Sequence, residues 1–268
     1  MKYSYYLPFF YTYYTRLGNI RALIAYLAWD LFLPYSAIYY YSGFRSLFQV
    51  FLMFIGFISL YECGYHYNDT RSTRYEIGGD RLNNVSIKPV PFVSSRMITF
   101  LMVLILLLLD KTVNVLSYFM MTIFIIILLF VHSSQMVHKI SLARLFTFTG
   151  LAFYRSAYLI VPFVGIDILY SVLSVIFIVY GISRMIQYLV RKYCHDERTI
   201  YLFMGNGLYI NGLFILLLLP LFLGRKMMDV NTFVYSVSLI IWLIMVTLHL
   251  LRRNFFDNGS VRQNGLKK

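Results

Sequence analysis

The residue types best suited to chemistry are gathered in one run, Tyr61-Glu62-Cys63-Gly64-Tyr65-His66-Tyr67-Asn68-Asp69-Thr70-Arg71-Ser72-Thr73-Arg74-Tyr75-Glu76. If helix continues through this run, its turn brings Asn68, Asp69, Ser72 and Glu76 within an arc of about 100°. Tyr65 and Glu62 fall on or near the same face. The product is a strip of hard oxygen donors. Mg2+ takes a few carboxylate or amide oxygens and leaves the rest of its shell to phosphates and waters. A diphosphate leaving group needs such a cation to take up its developing charge. The same residues also suit a plainer role, a polar helix end at a membrane surface with its carboxylates paired to Arg71 and Arg74.

A second run, Arg191-Lys192-Tyr193-Cys194-His195-Asp196-Glu197-Arg198, is basic. In helical projection Arg184, Tyr188, Arg191, His195 and Arg198 share one face. Arg and Lys there bind phosphate oxygens directly, or else flank a span against anionic head groups. Asp196 and Glu197 are the only carboxylates in the run, and either can orient or deprotonate an acceptor. The pairs Cys63/His66 and Cys194/His195 together offer zinc donors, but their spacings match no familiar zinc framework.

The elements that carry these runs follow from composition. Of the 268 residues, 60% are hydrophobic and only 13% charged, too few for the surface of a soluble domain. Residues 98–109 and 121–131 hold no ionisable side chain. Apolar runs approach the ~20 residues that cross a ~30 Å hydrocarbon core as helix. In lipid every backbone N–H and C=O needs an internal partner, so spans of this length are helices. The alternation of an outer-membrane barrel is absent. The reading is an all-α, polytopic transmembrane helical bundle forming a single membrane domain over 1–268. Its eight spans are expected near 22–41, 46–66, 95–110, 113–132, 142–161, 167–189, 199–222 and 231–251.

Charge sets the expected orientation. With the N-terminus inside, all Lys and Arg fall on inner loops, tails and helix ends except Arg45, Lys111, Arg225, Lys226 and the intraspan Arg155. This bias predicts N- and C-termini in the cytoplasm of a multi-pass protein of the bacterial cytoplasmic membrane. The net charge of +13 is then met by membrane lipids, not nucleic acid. Cys63 and Cys194 fall on the reducing side and need no disulfide. Residues 1–14 lack the features of a secretory signal and read as an aromatic interfacial belt.

The two chemical runs fall on inner loops, 67–94 after span two and 190–198 after span six, and 252–268 is a cytoplasmic tail. Spans one to four and five to eight thus form two four-helix halves of like orientation, each with its polar run after its second helix. Within the membrane, Asp30 lies near the midplane of span one, where a charge is costly without a partner. Arg155 of span five is its expected partner. Gly205-Asn206-Gly207 and Asn211-Gly212 suggest close helix packing or a local break in span seven.

With these residues in view, the chain resembles the UbiA superfamily of intramembrane prenyltransferases. That family carries an NDxxDxxxD motif after its second helix and a DxxxD-like motif after its sixth. Asn68-Asp69 matches the first motif outright, Glu76 keeps a carboxylate at its end, and Ser72 stands where one is lost. The second run has no DxxxD, and the family's ninth helix has no counterpart among the eight spans. The resemblance implies Mg2+ on Asn68, Asp69 and Glu76, with Asp69, Asp196 and Glu197 in catalytic roles. It implies a substrate held by Tyr65, Ser72, Arg191, Lys192, His195 and Arg198. The implied partners are a polyprenyl diphosphate or phosphate lipid and a second substrate. The reaction is prenyl transfer to an acceptor, or phosphoribosyl transfer to a polyprenyl phosphate. A non-catalytic membrane scaffold that binds a lipid or partner, or a transporter, is the reading from a different class.

Overall fold

A computed structural model of the chain describes residues 4–72, 87–110, 113–134, 137, 141–164, 166–193, 212, 215, 229 and 232–246. Every element among them is helical. Among the described residues, four helices are long and apolar enough to cross a membrane: Ala22–Tyr41, Leu47–Thr70, Pro89–Leu109 and Val115–His132. These match the first four expected spans. Helices Ser141–Ile160 and 166–193 fall where spans five and six were expected, and Thr232–Val246 is a shorter apolar helix within the expected span eight. Expected span seven lies outside the described residues, apart from 212 and 215.

We number the long helices in chain order. α1 runs over 20–42 as Ile20–Leu27, a π-helical turn Ala28–Phe32, and Leu33–Ser42. The π turn has a local cause. Pro34 has no N–H and its ring opposes the carbonyl four residues back, and widening the turn relieves that clash. α2 is Leu47–Ser72, α3 is Pro89–Leu109, α4 is Val115–His132 and α5 is Ser141–Ile160. α6 covers 166–193, with a π turn Phe177–Gly181 inside it. The two polar connections are shorter than the sequence suggests. α2 stays helical through Ser72, α3 starts at Pro89 and α6 reaches Tyr193, so parts of 67–94 and 190–198 belong to helices.

The exterior is apolar, and the buried polar groups sit within a largely apolar core. On α3, Phe92, Arg96, Phe100, Val103 and Leu107 are buried, at a helical repeat. Its outward face carries Ile98, Leu101, Met102, Ile105 and Leu108, all well exposed. α4 repeats the pattern, with Tyr118, Thr122, Ile125 and Leu129 inside and Leu116, Phe124, Ile127 and Phe130 outside. An arginine turned inward beneath a leucine-rich exterior is the arrangement that lipid, not water, rewards. Close approach is built into α2: a Cβ at Gly56 would collide with the Tyr118 hydroxyl and one at Gly64 would lie 2.6 Å from Leu129. Gly212 is packed so tightly on Trp242 that a Cβ there has no room, in keeping with the close packing read from Asn211-Gly212.

Side-chain contacts sort the helix ends into two groups. Gln49 donates to Asp110 at 2.6 Å, and the Asn114 N–H donates to the Pro162 carbonyl at 3.0 Å, marking one end of the bundle. At the other end Tyr67 stacks on Phe130 at 6.0 Å, His132 meets Thr147 at 2.8 Å, and Phe148 stacks on Tyr188 at 4.5 Å. The polar end of α2 and the basic end of α6 therefore lie on the same side.

The N-terminal segment differs from the expected interfacial belt. A 3-10 turn Ser4–Tyr6, a helical turn Phe10–Thr12 and a π turn Tyr13–Leu17 fold back onto α2 and α3. Tyr11 and Thr12 are buried there. Gly18, with φ 68°, closes the segment by sending its N–H back to the Tyr13 carbonyl at 2.7 Å.

Candidate functional site

The helical repeat divides the end of α2 into faces. Glu62, His66 and Asp69, spaced four and three residues apart, turn toward the N-terminal segment and α3. Tyr61 and Tyr65 turn toward α5. Cys63, Gly64 and Tyr67 line a cavity of about 230 Å³ with Val93 and Met97 of α3 and Ile126, Leu129 and Phe130 of α4.

Glu62 forms a latch. Its carboxylate is fully buried and accepts from the Phe9 N–H at 3.1 Å, the Thr12 N–H at 2.7 Å and Arg96 Nε at 2.6 Å. Arg96, equally buried, spends its other nitrogens on the carbonyls of Tyr5, Tyr6 and Leu7 at 2.8, 2.5 and 2.8 Å. A buried ion pair survives desolvation when its remaining donors and acceptors are satisfied, as they are here. The latch also holds Phe9 in a left-handed conformation, φ 77°, which costs a non-glycine residue about 1–2 kcal/mol.

Asp69 is also fully buried, and its partners come from the N-terminal segment. The Tyr11 hydroxyl donates to Oδ2 at 2.7 Å, and Arg16 Nη2 to Oδ1 at 2.5 Å. Burial and the adjacent carboxylate push the Tyr11 hydroxyl far above its ordinary pKa, so it remains a donor. Burial works against the Arg16 charge, but Asp69, with Tyr65 and Tyr11 beside it, raises the guanidinium above its usual value. The Arg16 guanidinium also lies 4.5 Å over the Tyr65 ring, and its Nη1 is buried without a hydrogen-bond partner among the described residues.

Deeper in the bundle, Arg155 of α5 donates to Asp30 at 3.1 Å, to the Tyr61 hydroxyl at 3.0 Å and to the Tyr65 hydroxyl at 2.7 Å. The expected Asp30–Arg155 pair is thus formed, joining α1 to α5, and the π turn before Pro34 carries its carboxylate. A polar path runs from Asp30 through Arg155, Tyr65 and Arg16 to Asp69.

The sequence-expected residues fare unequally. Asp69 is central, and Tyr65 bridges the two arginines. Asn68 is half-buried, with an Oδ1 that has no hydrogen-bond partner among the described residues. Ser72 is the last residue of α2, and Arg191 and Lys192 lie in the last turn of α6. Glu76, His195, Asp196, Glu197 and Arg198 lie outside the described residues, as do Cys194 and Arg74. Asp69 pairs with Arg16 of the N-terminal segment and Glu62 with Arg96 of α3. Glu62 is therefore committed to the fold and not to the ligand strip. His66 is buried between the rings of Tyr11 and Phe92, while Cys63 faces the cavity. Among the described residues no group of three or more His, Cys, Asp or Glu is arranged to hold a metal ion.

The donor chemistry nevertheless suits a hard cation. Asn68 contributes a buried amide oxygen without a partner among the described residues and Asp69 a buried carboxylate, though Arg16 now occupies that carboxylate. Sequence reasoning missed Tyr11, Arg16 and Arg96. For Arg96 there was a signal: Glu62 falls inside expected span two, where a carboxylate requires a cation from another element.

The chain matches no family model, no curated protein and no solved structure, so the UbiA resemblance rests on its motif residues alone.

Proposed function

We propose that the protein is a UbiA-like membrane transferase with two four-helix halves, acting on a diphosphate substrate at the inner face of the bacterial cytoplasmic membrane. The observation that carries this reading is the shared side of the bundle on which the Asn68-Asp69 end of α2 and the basic end of α6 lie. The conserved chemistry of a diphosphate, hard-cation binding plus neutralisation by Arg and Lys, needs both. Mg2+, when bound, draws off the charge that develops on the leaving diphosphate. Asn68, Asp69 and Glu76 would hold it. Arg191, Lys192, His195 and Arg198 would bind phosphate oxygens, with Tyr65 and Ser72 at the edge of the site.

In the reaction, the bond between the prenyl carbon and the diphosphate oxygen breaks and its electron pair leaves with diphosphate. The acceptor forms the new bond to that carbon and gives up its proton, to Asp196 or Glu197. The test is pyrophosphate release by the purified protein in lipid discs from two donors, a polyprenyl diphosphate with an acceptor and, separately, phosphoribosyl diphosphate with a polyprenyl phosphate, with product identified by mass spectrometry. Mg2+-dependent release is expected from the wild type, falling at least about 100-fold in Asp69→Asn. A pentose phosphate on a lipid product would move the reading to phosphoribosyl transfer. Equal release by both proteins, or none from either donor, would overturn enzymatic function.

The saturation of Asp69 by Arg16 and Tyr11 favours a second reading, a membrane scaffold in which the strip only anchors the N-terminal segment. A scaffold keeps partner or lipid binding in Asp69→Asn as long as it folds, whereas the transferase loses its Mg2+ dependence.

A further inference from the structure

We propose that Arg16 is an exchangeable counter-ion: it neutralises Asp69 while the site is empty and moves to the diphosphate oxygens when a divalent cation takes Asp69. This rests on the reading of Asp69 as a metal ligand and adds to it a substrate-binding residue from the N-terminal segment.

Four observations support the exchange. Arg16 competes for the carboxylate directly, at 2.5 Å from Oδ1, where a cation and a guanidinium cannot both sit. Its second terminal nitrogen, Nη1, is buried and unpaired among the described residues, so a donor is already available for an anion. Its guanidinium rests on the Tyr65 ring at 4.5 Å, a face along which it can slide without losing all contact. Its segment is anchored elsewhere, because Glu62 and Arg96 hold residues 5–12 through Tyr5, Tyr6, Leu7, Phe9 and Thr12. Arg16 can therefore leave Asp69 without freeing the segment. Arg96 makes the contrast: every one of its side-chain nitrogens is bonded to Glu62 or a carbonyl, and it has nothing to give.

Charge bookkeeping fixes the sign. Asp69 with Arg16 is neutral. A divalent cation arriving alone meets an added positive charge, while one arriving with a diphosphate brings the anion that Arg16 needs. Arg16 should thus oppose the bare cation and favour the anion, two effects that a merely structural arginine would not separate.

The experiment uses the full chain in lipid discs, with Mn2+ alone followed by electron paramagnetic resonance and inorganic pyrophosphate in Mg2+ followed by calorimetry. Arg16→Gln is expected to bind Mn2+ about tenfold more tightly and pyrophosphate about tenfold more weakly, with Arg16→Lys returning both toward wild type. Tyr11→Phe, which removes a donor from Asp69 but leaves the Arg16 charge, should lower pyrophosphate affinity less than Arg16→Gln does. Unchanged or weaker Mn2+ binding in Arg16→Gln, or loss of pyrophosphate affinity in Tyr11→Phe equal to that in Arg16→Gln, overturns the exchange while the metal site stands. If Mn2+ binding is the same in wild type and Asp69→Asn, the metal reading falls and takes the exchange with it.

Discussion

At the scale of single residues, the buried charges divide into those that hold the fold and those free to act. Glu62 and Arg96 belong to the first kind. Replacing Glu62 with Gln leaves the Arg96 guanidinium buried without its counter-charge, and such a break costs about 3–5 kcal/mol. The expected outcome is a marked fall in the unfolding midpoint of detergent-solubilised Glu62→Gln, with Glu62→Gln/Arg96→Gln falling by less than the sum of the single changes. Additive losses would show that the two residues stabilise the chain independently. The candidate motif was legible in the sequence because Asn68-Asp69 stands at the polar end of an apolar run, where residue type alone marks it. The partners were not legible. Arg16 lies 53 positions from Asp69, and Arg96 lies 34 from Glu62. Each reads by itself as an ordinary basic flank of a span. Only the return of the N-terminal segment over α2 turns these flanks inward, and no local periodicity encodes that return. Asp30 and Arg155 were legible as a pair, because two isolated charges at membrane depth have few other solutions.

At the scale of elements, close approach depends on small side chains at particular turns of α2 and α5. Gly56 sits under the Tyr118 hydroxyl, and a Cβ there would also lie 3.1 Å from Val103. Tyr118 is fully buried and packs on Tyr158 at 4.9 Å, so it has little room to yield. Gly150 of α5 differs, since a Cβ there comes no closer than 3.3 Å to the end of Leu128. Gly56→Ala should therefore destabilise by about 1–3 kcal/mol through overpacking. Gly150→Ala should be neutral or gain up to about 1 kcal/mol from helix propensity. Thermal unfolding of the two variants side by side checks this. Equal effects would mean that α4 does not lie as close to α2 as described. Helix existence was legible from apolar run length, since the bilayer fixes that length. Helix ends were not. α2 extends to Ser72 because its polar face is roofed by the N-terminal segment, and a hydropathy pattern ends the span where the apolar residues end.

At the scale of the whole molecule, an apolar exterior surrounds a polar path from Asp30 to Asp69, and the path ends near one end of the bundle. That end carries Lys88 at the start of α3, and the opposite end carries Asn114 at the start of α4, both exposed. The lysine and arginine bias predicts that the Asp69 end faces the cytoplasm. The bias is an argument from sequence that the packing does not repeat: two arginines counted toward it, Arg16 and Arg96, turn inward to carboxylates and do not meet head groups. Without them the count still assigns Lys2, Arg71, Arg74, Arg81, Lys88 and the run from Arg191 to Arg198 to inner positions in the sequence, so the bias predicts the same orientation. Thiol labelling tests it in a background with Cys63 and Cys194 replaced by Ser. A membrane-impermeant maleimide added to intact cells should label Asn114→Cys and leave Lys88→Cys untouched until the membrane is permeabilised. The opposite pattern would place the Asp69 end outside, away from the cytoplasmic supply of activated diphosphates, and the transferase reading would lose its substrate. Labelling of both positions in intact cells would mean that the helices between them do not separate two compartments, and the bilayer would no longer explain why the leucines of α3 face outward and its arginine inward.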